Sequence, residues 1–144
     1  MPESAPLPQF ETYEDFWPYY VAMHSRPITR WLHAIGTLGG AAVAADGLLR
    51  RRSLRALGWF PTLGYGFAWP AHFILERNNP ASFGHPAWSF RGDLQMIRMM
   101  LTGRDQELSA IAEKWFADYP GTARRRPHGR PPHGRSYLTS NRTL

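Results

Sequence analysis

Between Arg55 and Glu76 the chain runs for 20 residues, Ala56 to Leu75, without a formal charge. A membrane-spanning helix needs about 20 apolar residues, and this stretch meets that length, although Pro61, Pro70, several glycines and His72 weaken it. A second stretch, Leu32–Ala45, is uncharged for 14 residues before Asp46 interrupts it. Arg50, Arg51, Arg52 and Arg55 form a basic turn between the two. The pattern predicts a helical hairpin with both ends on one side. Gly36 and Gly40 are four apart and permit close helix–helix approach. Two arrangements satisfy it: a soluble bundle with buried Ala/Gly-rich helices, or a hairpin embedded in a membrane or lying at its interface. The basic turn on its own points to the cytoplasm, whereas Arg77, Arg91, Arg98, Arg104 and the C-terminal arginines point the opposite way.

The remaining periodicity is helical throughout, and no strand-like alternation of any length appears. Phe10, Tyr13, Trp17, Tyr20, Val21 and His24 predict a first helix ending near Ser25, with a kink or late start at Pro18. Pro27 opens a second helix capped near Ser25 or Arg26 and running through the small residues to Leu49. After the turn-rich segment 78–86, a fourth helix is expected over Trp88–Leu101. The clearest pattern is the fifth, where Leu108, Ile111, Ala112, Trp115, Phe116 and Tyr119 share one face, Asp105 caps the start and Pro120-Gly121 is the stop. The expected fold is all-α: a compact bundle of about five helices around a central hydrophobic hairpin, in a domain over residues 10–120. A flexible proline-rich lead (1–9) and a disordered Arg/Pro/His-rich tail (121–144), with PHGR repeated at 127–130 and 132–135, flank it.

Composition narrows the functional classes. A chain of 144 residues suits one domain. Its net charge of +6 resides in the tail, because residues 121–144 hold six arginines and no acid, leaving 11 basic and 11 acidic residues before them. The tail carries no nucleic-acid motif and predicts only weak, salt-sensitive binding; anionic lipid is an equal candidate for it. No specific nucleic-acid partner is expected. The absence of cysteine excludes thiolate metal sites, Fe–S clusters and a cysteine nucleophile. The polar, acidic, proline-rich start gives no expectation of a secretory signal.

Any metal must therefore sit on His, Asp or Glu. His24, His33, His72 and His85 lie in the body, His128 and His133 in the tail. On one straight helix His24 and His33 would point to opposite sides, and the break at Pro27 lets them converge. His72 and Glu76 are four apart and share a helix face. Three histidines and a carboxylate from three helices suit non-haem Fe(II), Mn(II) or Zn(II), whereas a single inward histidine is ordinarily only a hydrogen-bonded core residue.

The two stretches that hold these residues carry a resemblance. HSRPITRWLHAIGT (24–37) is similar to an H-x-x-P-x-N-R-x-x-H-x-x-G signature. GYGFAWPAHFILERNNPASFGHPAWSFRGDLQM (64–96) is similar to a second block: a His with a Glu four later, an Asn-x-Pro-Ala turn and a Ser-x-Arg-Gly-Asp helix start. Together, over about residues 10–104, they resemble the Mpo-like 2-hydroxy-fatty-acid dioxygenase family, small membrane-associated proteins formerly catalogued as a domain of unknown function. Thr29 departs from the usual Asn, Pro70-Ala71 replace an apolar residue and Gly before the histidine, and the helices are less hydrophobic than in eukaryotic members.

The resemblance implies Fe²⁺ on His24, His33 and His72, with Glu76 as a catalytic carboxylate that ligates iron or orients His72. His85 is a further candidate for the metal or its surroundings, or else a cap for the fourth helix. It implies oxidative decarboxylation of a 2-hydroxy fatty acid with O₂, shortening it by one carbon, in a protein associated with membrane lipid. Arg30 and Arg77, each beside a ligand, are candidates to pair with the substrate carboxylate. The acyl chain is expected along the Gly/Ala-rich second helix and the Tyr65–Trp69 stretch. Asp93 and Arg91 are expected to brace the fourth helix without touching the site, and Trp88, Met96, Met99 and Met100 to be core. The rival readings are a non-catalytic membrane scaffold and a zinc-dependent hydrolase using the same histidines.

Overall fold

Helix α1 (Tyr13–Met23) begins where the Thr12 hydroxyl oxygen accepts the Asp15 N–H, the N-cap arrangement that satisfies an otherwise orphaned donor. The structure, a computed structural model, describes residues 9–120, so the lead-in and tail expectations, with His128 and His133, lie outside the described residues. Pro18 is accommodated inside α1 and does not delay its start; the backbone carbonyl it leaves without a donor belongs to exposed Glu14. From Tyr19 to His24 every residue of α1 and its cap is buried, so this half of the helix is enclosed on all sides.

Helix α2 (Pro27–Arg51) starts at the expected proline with Arg26 as N-cap, and it ends on Arg52 in the left-handed conformation (φ 48°). A short 3₁₀ turn (Leu54–Gly58) leads into α3 (Trp59–Pro70), which continues as a π-helical turn over Ala71–Glu76. The uncharged stretch Ala56–Leu75 is therefore three geometries in succession. A 3₁₀ turn (Ala81–Phe83) precedes α4 (Pro86–Leu101), and α5 (Asp105–Asp118) closes the fold. Among the described residues there are five α-helices and no strand. The expectation of an all-α bundle holds.

Two bodies with different packing chemistry make up the bundle. In the first, α1 lies against α4 and α5, and Phe16, Tyr20, Val21, Met96 and Leu108 form a core at or near zero exposure. Trp88, Met96, Met99 and Met100 belong to it or pack on it, as expected. In the second, α2 and α3 form the predicted hairpin, whose interface is made of small residues. A Cβ on Gly36 would stand 3.0 Å from the Leu63 carbonyl oxygen, and one on Gly40 would stand 2.8 Å from that of Phe60. Only glycine permits the two backbones to approach so closely. The hairpin turns its larger side chains outward: Ile28, Trp31, Ile35 and Leu38, at helical spacing on α2, are each about half exposed. Alpha2 is long and apolar enough to cross a membrane, and only a third of its most apolar window is buried inside the protein.

Candidate metal centre

The three clustered histidines arrive by three local devices. His24 caps the C-terminus of α1: its backbone N–H bonds back to Val21, and its Nδ1 lies 2.6 Å from the Tyr20 carbonyl that the helix leaves unpaired. His33 lies in the second turn of α2, on the face that carries Thr37 and Gly40 into the bundle. His72 lies in the π turn after α3, a widening that commonly marks functional positions. It follows Pro70, which has no N–H to continue the ordinary helical ladder.

The rings meet nearly at right angles. Centroids are 4.4 Å apart for His24–His33, 4.6 Å for His24–His72 and 5.1 Å for His33–His72, with interplanar angles of 83°, 80° and 87°. One nitrogen from each lies within 4.8 Å of the others, and all three side chains are buried.

In every ring Nδ1 faces a fixed acceptor: the Tyr20 carbonyl, the Asp93 carboxylate at 3.0 Å, and the Asn78 amide oxygen at 2.8 Å. Each acceptor selects the Nδ1–H tautomer, which leaves the Nε2 lone pair free. Nε2 of His24 and of His33 is buried without a hydrogen-bond partner. Two orphaned imidazole nitrogens side by side are costly in a stable core unless something binds there. Burial, together with the neighbouring rings His33 and His72, holds the His24 imidazole well below the ordinary histidine range. Burial and then His33 push His72 down to about 4. Both are neutral at pH 7, the state a ligand requires. Residues present thus fit a divalent metal.

The supporting residues differ from several sequence expectations. Asp93 does touch the site: it takes His33 and the Tyr20 hydroxyl on one oxygen and the Thr37 hydroxyl on the other. Burial and the Asp93 charge push the Tyr20 phenol well above its usual range, so it keeps its proton and donates. Arg91 is the bracing member of that pair, its guanidinium 3.8 Å from the centroid of the Tyr13 ring.

Glu76, expected to ligate or to orient His72, is elsewhere. Its carboxylate accepts the Arg26 N–H at 2.8 Å and the Ser25 hydroxyl at 3.0 Å, which caps the positive end of α2. Asn78 takes the orienting role because Arg77 adopts the left-handed conformation (φ 49°) and turns the chain back, so that Asn78 bridges His72 and the Met23 carbonyl. The signal was present in the Asn-x-Pro-Ala turn, where the asparagine was read only as a turn former.

Neither arginine reaches the centre. Arg30 is fully buried and spends its five N–H donors on Asp105 (twice, at 2.8 Å), Ser109 and the carbonyls of His24 and Ser25. Asp105, expected as the cap of α5, is thereby that helix's first residue and the partner of Arg30. The Arg77 side chain is exposed. His85 lies outside the histidine cluster and stacks on Trp88 at 4.8 Å, with Phe16 at 5.3 Å.

The centre opens into a cavity of about 130 Å³. Its polar end holds the three histidines, Asp93, Tyr20, Thr37 and Ser89; its apolar end is walled by Phe60, Pro61, Tyr65, Trp69 and Phe90. Tyr65 and Trp69 line it as expected. Gly36 and Gly40 are covered by α3 and do not.

A family model described as 2-hydroxy-palmitic acid dioxygenase Mpo1-like matches residues 10–105. Neither a curated protein nor a solved structure matches the chain. The match takes in every side chain that forms or supports the histidine cluster and covers about two thirds of the sequence. The chain belongs to the Mpo1-like family.

Proposed function

We propose that the protein is an Fe(II)-dependent dioxygenase that converts a 2-hydroxy fatty acid and O₂ into the acid one carbon shorter, CO₂ and water. The observation that carries this reading is the set of three buried imidazoles, each facing a fixed acceptor through Nδ1, that line a largely apolar cavity. His24, His33 and His72 would hold the metal. The chemistry that Fe(II) supplies when bound is activation of O₂ beside the C1–C2 bond of a chelating 2-hydroxy acid.

The protein's own contribution is orientation and exclusion of water. Asp93, Asn78 and the Tyr20 carbonyl fix the ring planes before any ligand arrives. Phe60, Tyr65, Trp69 and Phe90 keep the cavity dry and offer an apolar path for the acyl chain. At about 130 Å³ the cavity is too small for a long acyl tail, which would run out along its apolar wall. Tyr65, Trp69 and Phe90 are also exposed on the outer surface, and this continuity supports entry of a lipid substrate from a bilayer. The outward Ile28–Leu38 stripe of α2 supports a membrane-embedded or interfacial hairpin.

The test is anaerobic purification in mild detergent and iron analysis of the parent, His33→Ala and His72→Ala. About one Fe(II) per chain is expected, lost in both variants while helicity persists, followed by O₂-dependent release of CO₂ from 2-hydroxypalmitate. Zinc taken in place of iron on anaerobic reconstitution directs the search to hydrolysis. Failure to bind any metal leaves the scaffold reading.

A further inference from the structure

Ser89 is buried, lines the cavity, and its hydroxyl oxygen has no hydrogen-bond partner. It sits one turn before Asp93 on α4, on the same helix face as the carboxylate that holds His33. The other buried hydroxyls of that wall are engaged: Tyr20 and Thr37 both donate to Asp93. Among the described residues the cavity wall contains no lysine and no arginine. An acid head group entering here meets no side-chain cation, and Ser89 is the fully buried hydroxyl of the wall without a partner, Ser82 being half-buried and Tyr65 exposed. A buried hydroxyl without a partner costs free energy, and that cost is recovered when a ligand oxygen accepts from it.

We propose that Ser89 is a substrate-contacting residue whose hydroxyl donates to a carboxylate oxygen of the 2-hydroxy acid, in the role that an arginine plays in many acid-binding sites. The inference rests on the dioxygenase reading and assigns the recognition of its substrate. It also makes head-group recognition depend on one neutral donor beside the metal, so that a carboxylate is distinguished from a neutral diol through Ser89.

The experiment is anaerobic isothermal titration calorimetry of the Fe(II)-loaded full chain in detergent, with 2-hydroxyoctanoate and 1,2-octanediol as probes. The parent, Ser89→Ala and Ser89→Thr are compared, with metal content and helicity measured on each. Loss of a hydrogen bond to a charged group predicts about tenfold weaker binding of 2-hydroxyoctanoate by Ser89→Ala, at unchanged iron content. Ser89→Thr restores most of the affinity, and the diol binds parent and Ser89→Ala alike. Equal affinity of parent and Ser89→Ala for the acid overturns the assignment while the dioxygenase reading stands. A parent that holds iron but binds neither probe overturns the 2-hydroxy acid reading itself, and with it the role of Ser89. Iron lost on Ser89→Ala with helicity intact makes the residue part of the metal support and also overturns the assignment.

Discussion

Two acceptors, Asp93 from the distant helix α4 and Asn78 from the turn six residues after His72, set the direction in which His33 and His72 present their nitrogens. Substituting such a partner typically weakens metal binding 10–100-fold. Asp93→Asn and Asn78→Ala are each expected to lower Fe(II) affinity in that range with the fold retained, read by competition with a chelator. Affinity equal to the parent would mean that the rings are held by packing alone. Glu76→Gln acts differently, since it weakens the cap of α2 and should appear as reduced stability before reduced affinity. His24 and His72 also set an acid limit. Their pKa values are depressed in the folded protein, so the unfolded chain binds more protons as pH falls. Neither penalises the fold above about pH 6.5; stability falls below that, and the share of His72 is lost as pH reaches about 4. The metal-free protein should therefore melt progressively lower from pH 6.5 to 4, and His72→Gln should flatten the curve; an unchanged slope would count against burial of neutral histidines.

At the scale of elements, the hairpin and α4 depend on glycines that lack room for a methyl group. Gly40 faces the Phe60 backbone, whereas a Cβ on Gly39, one residue earlier, meets nothing within 4 Å. Gly39→Ala should stabilise by about 0.5–1 kcal/mol through helix propensity. Gly40→Ala should destabilise by about 1–3 kcal/mol, because the backbone it meets cannot rotate away. Thermal melts of the pair in one detergent test this, and the same sign for both would refute the close approach. Gly92 is a third case, with the Tyr20 ring 3.0 Å from where its Cβ would lie, so Gly92→Ala disturbs the phenol that supports Asp93. Arg30→Ala removes five hydrogen bonds that tie α1, α2 and α5 together. It is expected to cost about 3 kcal/mol, at the lower end for broken buried pairs because Asp105 is partly exposed.

The whole molecule divides into an aromatic body around α1 and a hairpin whose larger side chains face outward. Replacing Ile35 and Leu38 together by aspartate should release the protein from membranes in vesicle flotation while iron content is unchanged, since both side chains point away from the centre. Retention of the double variant in the lipid fraction would place the contact elsewhere. Much of this architecture was legible in the chain. Helical periodicity, Pro27 as a start and the Gly36/Gly40 pair are local properties that spacing reports directly; the Pro27 break allowed His24 and His33 to converge, and the resemblance of the two blocks joined His72 to them. The partners of those histidines were not legible. Asp93 lies 60 residues from His33, and whether Glu76 or Asn78 reaches His72 depends on a π turn and a left-handed Arg77 that no periodicity announces. The arginines beside the ligands in sequence were drawn elsewhere, because a buried guanidinium must satisfy all its donors and Arg30 found its acceptors on α5 and in the α1–α2 turn. The sequence by itself determined the side chains that can form the cluster and that they ride on or next to helices. Only the tertiary structure decided which of their nitrogens are free, since a tautomer is set by whatever acceptor the fold places behind the ring.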